Sequence, residues 1–288
     1  MTTTLFPSTS PASTWEHLDD HPWDLAPWEF RLAETEHLLD ELETDNQQPT
    51  DTLDYPLPVD FKLSVIVPVF NEEATTATVV QRLLQLPFRT EIVIVEDGST
   101  DRTRDVLTRL AHFCDLKIIY HARNQGKGAA IRTALRYVTG DVVVIQDADL
   151  EYEPQDIAQV IRPIVTGEAD VAYGSRFMSE AKYDRDSWLH RLGNQALTCA
   201  SNLLTGLRLT DMETGCKAFS RNIIQRIEVQ QNRFGFEPEI TAKLAKRKYR
   251  FVECPIQFRT PNWAASNKVG WQEGLSALWC IFRYRFSD

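Results

Sequence analysis

At 288 residues the chain is long enough for one sizeable α/β domain plus an extension, and its 43% hydrophobic content can fill a core. The net charge of −10 sits at one end: residues 1–60 hold 14 Asp/Glu against Arg31 alone, and the remainder holds 30 Lys/Arg against 27 Asp/Glu. Five cysteines, odd in number, widely spaced and without a CxxC pair, argue against a disulfide framework or structural zinc and for a reducing cytoplasm.

At Met1 no charged segment leads into an apolar run, so no secretory signal is expected. Residues 1–14, rich in Thr, Ser and Pro, are expected to be disordered. Trp15, Trp23, Trp28 and Phe30 follow among acidic residues, and 27–44 carries a helical pattern of Leu32, Leu38, Leu39 and Leu42 before a polar linker over 44–54. This acidic extension, 1–60, either packs on the domain's own surface or meets a second copy of the chain or another protein. Its charge is wrong for an anionic membrane.

From Lys62 onward, short Val- and Ile-rich runs at Leu63–Val69, 91–95, Leu116–Tyr120, Val142–Ile145 and 171–173 read as buried parallel strands. Amphipathic helical segments lie between them at about 73–86, 101–113, 127–138 and 154–166. The alternation predicts an α/β domain over 61–288, a Rossmann-like, doubly wound, mostly parallel sheet with flanking helices. Its site belongs at the carboxyl ends of the strands. After 185 come a long helix (188–205), a mixed segment, a helix at 236–247, a strand at 250–258 and an amphipathic helix at 271–284. The apolar stretch 275–282 is far short of the ~20 residues that span a bilayer.

Several strand ends carry chemistry. The first runs into Pro68-Val69-Phe70-Asn71-Glu72-Glu73 and the second into Glu96-Asp97-Gly98-Ser99-Thr100-Asp101. Each also fits plain helix capping, with Ser99 or Thr100 as the cap and Asp101 in the first turn. The run ending at Ile145 leads into Asp147-Ala148-Asp149-Leu150-Glu151. Carboxylates two residues apart directly after an apolar strand repel unless a cation stands between them. Mg²⁺ or Mn²⁺ held by Asp149, with Asp147 and Glu151 nearby, would bridge a substrate diphosphate; a solvated acidic turn is the alternative. The Asn124-Gln125-Gly126-Lys127-Gly128 loop lacks Walker A spacing, yet its glycines allow close backbone approach and Lys127 suits a phosphate.

The set PVFNEE, EDGSTD, NQGKGAAIRTAL, QDADLEY and YGSRF, in this order, resembles the inverting family 2 glycosyltransferases of the GT-A fold. The later TDMETGCKAF, FGFEPEITAKLAKRKYRFVECPIQF and NKVGWQEGLSALW resemble the branch of dolichyl-phosphate mannose and glucose synthases and undecaprenyl-phosphate glycosyltransferases. The resemblance spans about 62–286. It implies that Pro68, Phe70, Glu72, Glu96 and Asp97 serve the base and ribose of a UDP- or GDP-hexose, and that Asp147, Ala148 and Asp149 serve its diphosphate and metal, with Glu151 a further ligand. Arg176 would face the acceptor phosphate. Asp211, Glu213, Thr214 and Lys217 would line the sugar and acceptor side, and Lys268 would close over the diphosphate. Glu96 stands where the branch has Asp, and Gly215-Cys216 where it often has Cys-Tyr, a change expected to alter the acceptor pocket. The transmembrane helices that many bacterial relatives carry are absent from the sequence.

The expected reaction is inverting, metal-dependent transfer of a hexose to a polyprenyl phosphate, whose ionised oxygen needs no general base. A sugar hydroxyl acceptor would need one, and Asp211 and Glu213 are the candidates. A non-catalytic nucleotide-binding protein or scaffold remains a further alternative. Lys243, Lys246, Arg247, Lys248, Arg250, Arg283 and Arg285 beside Leu275, Leu278, Trp279, Ile281 and Phe282 suit an anionic membrane surface, hence a peripheral place at the inner face. The same apolar residues also suit packing on the sheet. No nucleic-acid partner is expected.

Overall fold

The computed structural model describes residues 53–178, 188–259 and 271–286. Within them one sheet holds β1 (Leu63–Val69), β2 (Thr90–Glu96), β3 (Leu116–Tyr120), β4 (Val142–Ile145), β5 (Val171–Ser175), β6 (Lys217–Ser220) and β7 (Phe251–Pro255). The order across it is β3-β2-β1-β4-β6-β5-β7. The β1–β2, β1–β4, β2–β3 and β5–β7 pairs are parallel, and β6 runs antiparallel to both β4 and β5. The helices are α1 (Thr76–Leu84), α2 (Thr103–Phe113), α3 (Lys127–Ala134), α4 (Ile157–Val165), α5 (Trp188–Thr205), α6 (Arg221–Ile224), α7 (Phe236–Lys246) and α8 (Trp271–Phe286).

Side chains alternate across the strands, and both faces of β1 and β4 and most of β2 are covered, which is why these strands carry apolar runs. Leu63, Val65, Val67, Ile92, Ile94, Val142 and Val144 pack under α1, α2 and α4. Ile66, Val93, Val95, Val143, Ile145 and Tyr173 pack under α3, α6, α7 and α8. The parallel sheet expected from the alternation is present. The antiparallel β6 was not expected: its four residues, KAFS, contain no apolar run. Its direction matters, because its first residue, Lys217, pairs with Ile145 and Tyr173. The segment before β6 is thereby delivered to the edge where β4 and β5 end.

Some boundaries move. Helix α3 ends at Ala134, and α4 follows a 3₁₀ turn at Pro154–Asp156. The cap of α2 is Arg102, without a side-chain cap bond, and Asp101 just before it accepts the Thr103 N–H on Oδ1 at 3.0 Å. Ser99 and Thr100 instead bond Asn71, tying the ends of β1 and β2 together. The helical pattern over 27–44 and the body of the acidic extension lie outside the described residues. Its last residues pack on the domain: Tyr55 is buried and donates its hydroxyl to the Ala158 carbonyl at 2.8 Å.

Helix α8 has two faces. Ala277, Cys280, Ile281 and Tyr284 are buried, whereas Leu278, Trp279, Phe282 and Phe286 are exposed. Lys243, expected among the membrane-facing basic residues, is buried and paired with Glu239 at 2.7 Å. No described helix is long and apolar enough to cross a membrane. All five cysteines are unpaired.

Candidate active site

Strand β4 delivers the acidic turn to the carboxyl edge of the sheet. Leu150 takes a left-handed backbone (φ 60°), which is unusual for a residue with a side chain. The turn places the Glu151 N–H on Asp149 Oδ1 at 3.1 Å. Lys127, the first residue of α3, lies 2.8 Å and 2.9 Å from the two carboxylate oxygens of Asp147, and 3.2 Å from Glu237 Oε1. Burial opposes its charge, but Asp147 and Glu237 hold the ammonium well above the usual lysine range. Burial, then the charges of Asp147 and Glu151, pushes Asp149 up to about 8. Burial and Asp147 likewise raise Glu151. Asp147, Asp149 and Glu151 share this turn, but among the described residues no three acidic, His or Cys side chains are gathered as a ready metal cage.

Lys127 is aimed by its loop. Asp97 accepts the Gly126 N–H at 2.7 Å and the Gln125 N–H at 3.0 Å, and meets His121 Nδ1 at 2.6 Å. Gly126 has φ 100°, a conformation that favours glycine. Glu96 is fully buried and accepts Arg104 Nε at 2.6 Å. Both carboxylates therefore stand at the end of β2, as expected, but their oxygens anchor loops. Phe70 is exposed just past β1, beside half-buried Pro68. Glu72 accepts the Thr75 hydroxyl at 2.7 Å, and burial raises its carboxyl. Ala148 is buried.

The end of β5 carries Arg176. Its Nε meets Asp211 Oδ2 at 2.6 Å and its Nη2 meets Oδ1 at 2.7 Å, a two-pronged pair. Asp211 is fully buried, and the N–H groups of Asp211 and Thr210 donate to Glu253 at 2.9 Å and 2.7 Å. Asp211, expected to line the acceptor side, instead orients the guanidinium.

Lys217, expected to line the site, is 1% exposed and organises the loop behind it. Its Nζ donates to the Met212 carbonyl at 2.8 Å and to that of Thr214, and lies 4.3 Å from the Tyr173 ring centroid. Burial pushes it down to about 8 against the pull of Glu237 and Glu213. Burial, then Glu237, pushes Glu213 up to about 8. Thr214 is buried, its hydroxyl accepting the Cys216 N–H at 3.3 Å. Gly215 donates its N–H to the Tyr152 hydroxyl at 3.0 Å, and a Cβ there would run into Asp147 Oδ2. Cys216 packs in the core, and Gly215 abuts Asp147. Lys268 lies outside the described residues.

Sequence reading missed Tyr152, Glu237 and Glu253. The signal for Glu253 is a carboxylate inside a strand; for Glu237 it is an acidic residue opening a helix beside apolar Phe236, which resembles ordinary capping.

The glycosyl transferase family 2 model matches residues 64–228. The chain belongs to this family. The glycosyltransferase is 30% identical over 211 residues to the UDP-N-acetylglucosamine–dolichyl-phosphate N-acetylglucosaminyltransferase of Methanococcus voltae, covering 67% of this chain and 84% of that one. It is 30% identical over 203 residues to the dolichol-phosphate mannosyltransferase of Pyrococcus furiosus, covering 68% and 56%. Glucosyl-3-phosphoglycerate synthase of Mycobacterium tuberculosis, solved with Mg²⁺ and UDP, superposes with a TM-score of 0.63 at 19% identity, over 80% of this chain and 81% of that one. A further structure of that synthase holds Mn²⁺, UDP and product, with a TM-score of 0.61 at 17% identity and the same shares of 80% and 81%. The fold is GT-A, and the enzyme is related to polyprenyl-phosphate sugar transferases.

Proposed function

We propose that this glycosyltransferase moves a hexose, with inversion, from a UDP- or GDP-sugar to a polyprenyl phosphate at the inner membrane face. The observation that carries the reading is one acidic turn flanked by two fixed cations. Lys127 is fixed on Asp147, and Arg176 is fixed on Asp211. Glu151 feels both charges. Two phosphate-bearing substrates, a donor diphosphate and an acceptor phosphate, suit two such cations. The names of the relatives from Methanococcus voltae and Pyrococcus furiosus, both acting on dolichyl phosphate, support the acceptor.

The donor set fits a divalent cation. Its atoms are hard carboxylate oxygens, and Asp149 is raised to about 8 by burial and by its acidic neighbours, a repulsion that a cation would relieve. Mg²⁺ is commonly bound by one or two carboxylates with substrate phosphate oxygens completing the shell, so no all-protein cage is needed. Asp149 and Asp147 would hold it, and when bound it would stabilise charge on the departing diphosphate. The chain's own groups do the rest. Lys127 fixes Asp147 and adds positive charge on the donor side. Arg176 orients the acceptor oxygen for attack at C1. A phosphate oxygen is already ionised near neutral pH, so no proton must be removed, in keeping with Asp211 having both oxygens on Arg176. The exposed Leu278, Trp279, Phe282 and Phe286 with Arg283 and Arg285 on α8 suit an anionic bilayer surface.

The test is Arg176→Lys, which keeps the charge and loses the fork. The acceptor KM should rise or kcat fall with polyprenyl phosphate, while donor affinity holds. Unchanged kinetics with polyprenyl phosphate, or transfer to soluble sugar hydroxyls that survives the change, would contradict a phosphate acceptor.

A further inference from the structure

Two buried carboxylates near the site, Glu237 and Glu213, have incomplete hydrogen bonding. Glu237, in the first turn of α7, is 3% exposed. Its Oε1 lies 3.2 Å from Lys127 Nζ, and its Oε2 is buried without a hydrogen-bond partner. Glu213, on the loop before β6, has a buried Oε1 in the same condition. The charge of Glu237 bears on Glu213, and both bear on Lys217. Buried acceptors are nearly always satisfied in folded proteins, so two orphaned oxygens, both on groups whose charge reaches Lys217, point to a donor that arrives with a ligand.

The chemistry of that donor is narrow. A carboxylate accepts hydrogen bonds and repels phosphate, so neither the diphosphate nor the acceptor phosphate belongs here. A pyranose ring presents several O–H donors. In any transfer between the two cationic sides, it must also lie between them. Resting on the donor reading above, we propose that Glu213 and Glu237 are the donor-sugar specificity residues. Glu237 Oε2 and Glu213 Oε1 accept hydrogen bonds from hexose hydroxyls. The pair thus selects a neutral, hydroxyl-bearing sugar and rejects a uronic acid, whose carboxylate would meet that of Glu237.

The test is calorimetric titration of the full chain with UDP, GDP and the matching nucleotide-hexoses, on wild type, Glu237→Gln and Glu213→Gln. Each Gln is close to isosteric but replaces one acceptor oxygen with a donor. Both variants should bind the nucleotide diphosphate as wild type does, while the extra affinity contributed by the sugar falls at least about tenfold. A glucuronate donor, excluded by wild type, should bind the variants better. Equal losses for the diphosphate and its sugar would overturn the proposal, because Glu237 would then act only through Lys127 and Asp147. Unchanged sugar affinity with a raised melting temperature would also overturn it, leaving two strained carboxylates and no pocket. A wild-type protein that binds neither nucleotide would sink the donor reading itself, and this proposal with it.

Discussion

Arg176 reaches the site through Asp211, and that dependence alters what substitution there should do. Sequence alone suggests Asp211 as a base for a hydroxyl acceptor, its loss only moderately harmful if the acceptor is a phosphate. With both Asp211 oxygens bonded to the guanidinium, Asp211→Asn should instead impair transfer to polyprenyl phosphate about as much as Arg176→Lys. Removing one partner of a buried ion pair also costs about 3–5 kcal/mol, so the melting temperature should fall. Parallel acceptor kinetics and thermal melts check this, and an Asp211→Asn enzyme with wild-type acceptor KM would refute it. Gly215 is a second sensitive position, since a Cβ would press on Asp147 Oδ2. Gly215→Ala should displace that carboxylate and lower kcat by about 10²-fold, the scale on which ångström misplacements act, while leaving the fold intact by circular dichroism.

Among the elements, the start of the sheet is stitched by one side chain. Glu91 on β2 accepts from Lys62 at 2.7 Å and from Thr139 Oγ1 at 2.8 Å, with further bonds from Ser64 and Gly140. Burial opposes its charge, but these bonds pull its carboxyl down from 4.5 to about 2. A depressed carboxylate contributes stability that is present above its unfolded value and lost as pH falls through its folded one. The melting temperature of wild type should therefore exceed that of Glu91→Gln at neutral pH, and the gap should close between about pH 5 and pH 2. A gap constant down to pH 2 would show that the bonds, not the charge, matter. The strands and helices from β1 to β5 were legible in sequence because burial on both faces writes apolar runs into them. β6 was not: four residues with Lys217 at the head carry no such run, and its direction comes from tertiary pairing. The acidic turn and Arg176 were legible from motif order. Glu213 was named from the motif, but its orphaned oxygen was not legible, and Glu237 was missed entirely. A carboxylate near an apolar run does not reveal which oxygen lacks a partner.

For the whole molecule, charge divides the chain: the first 60 residues hold 14 acidic side chains, but the sheet and its helices close without most of them. Tyr55 is buried against α4, and Asp54 pairs with Arg162 at 2.6 Å, so the domain begins before residue 61. Deleting 1–52 should leave a folded protein with wild-type nucleotide affinity, and alter oligomeric state or partner binding, read by light scattering beside calorimetry. An insoluble product, or one blind to nucleotide, would make the extension part of the fold. The central claim is transfer from a nucleotide sugar to a lipid phosphate, and one measurement meets it directly. Purified protein is incubated with Mg²⁺ or Mn²⁺ and a panel of radiolabelled UDP- and GDP-hexoses, with polyprenyl phosphate or with soluble sugars. The account predicts label in an organic-extractable sugar phosphodiester for one donor, dependent on the divalent ion and lost in Asp149→Ala. Label appearing only in soluble oligosaccharide, or lipid labelling undiminished by excess chelator, would contradict it.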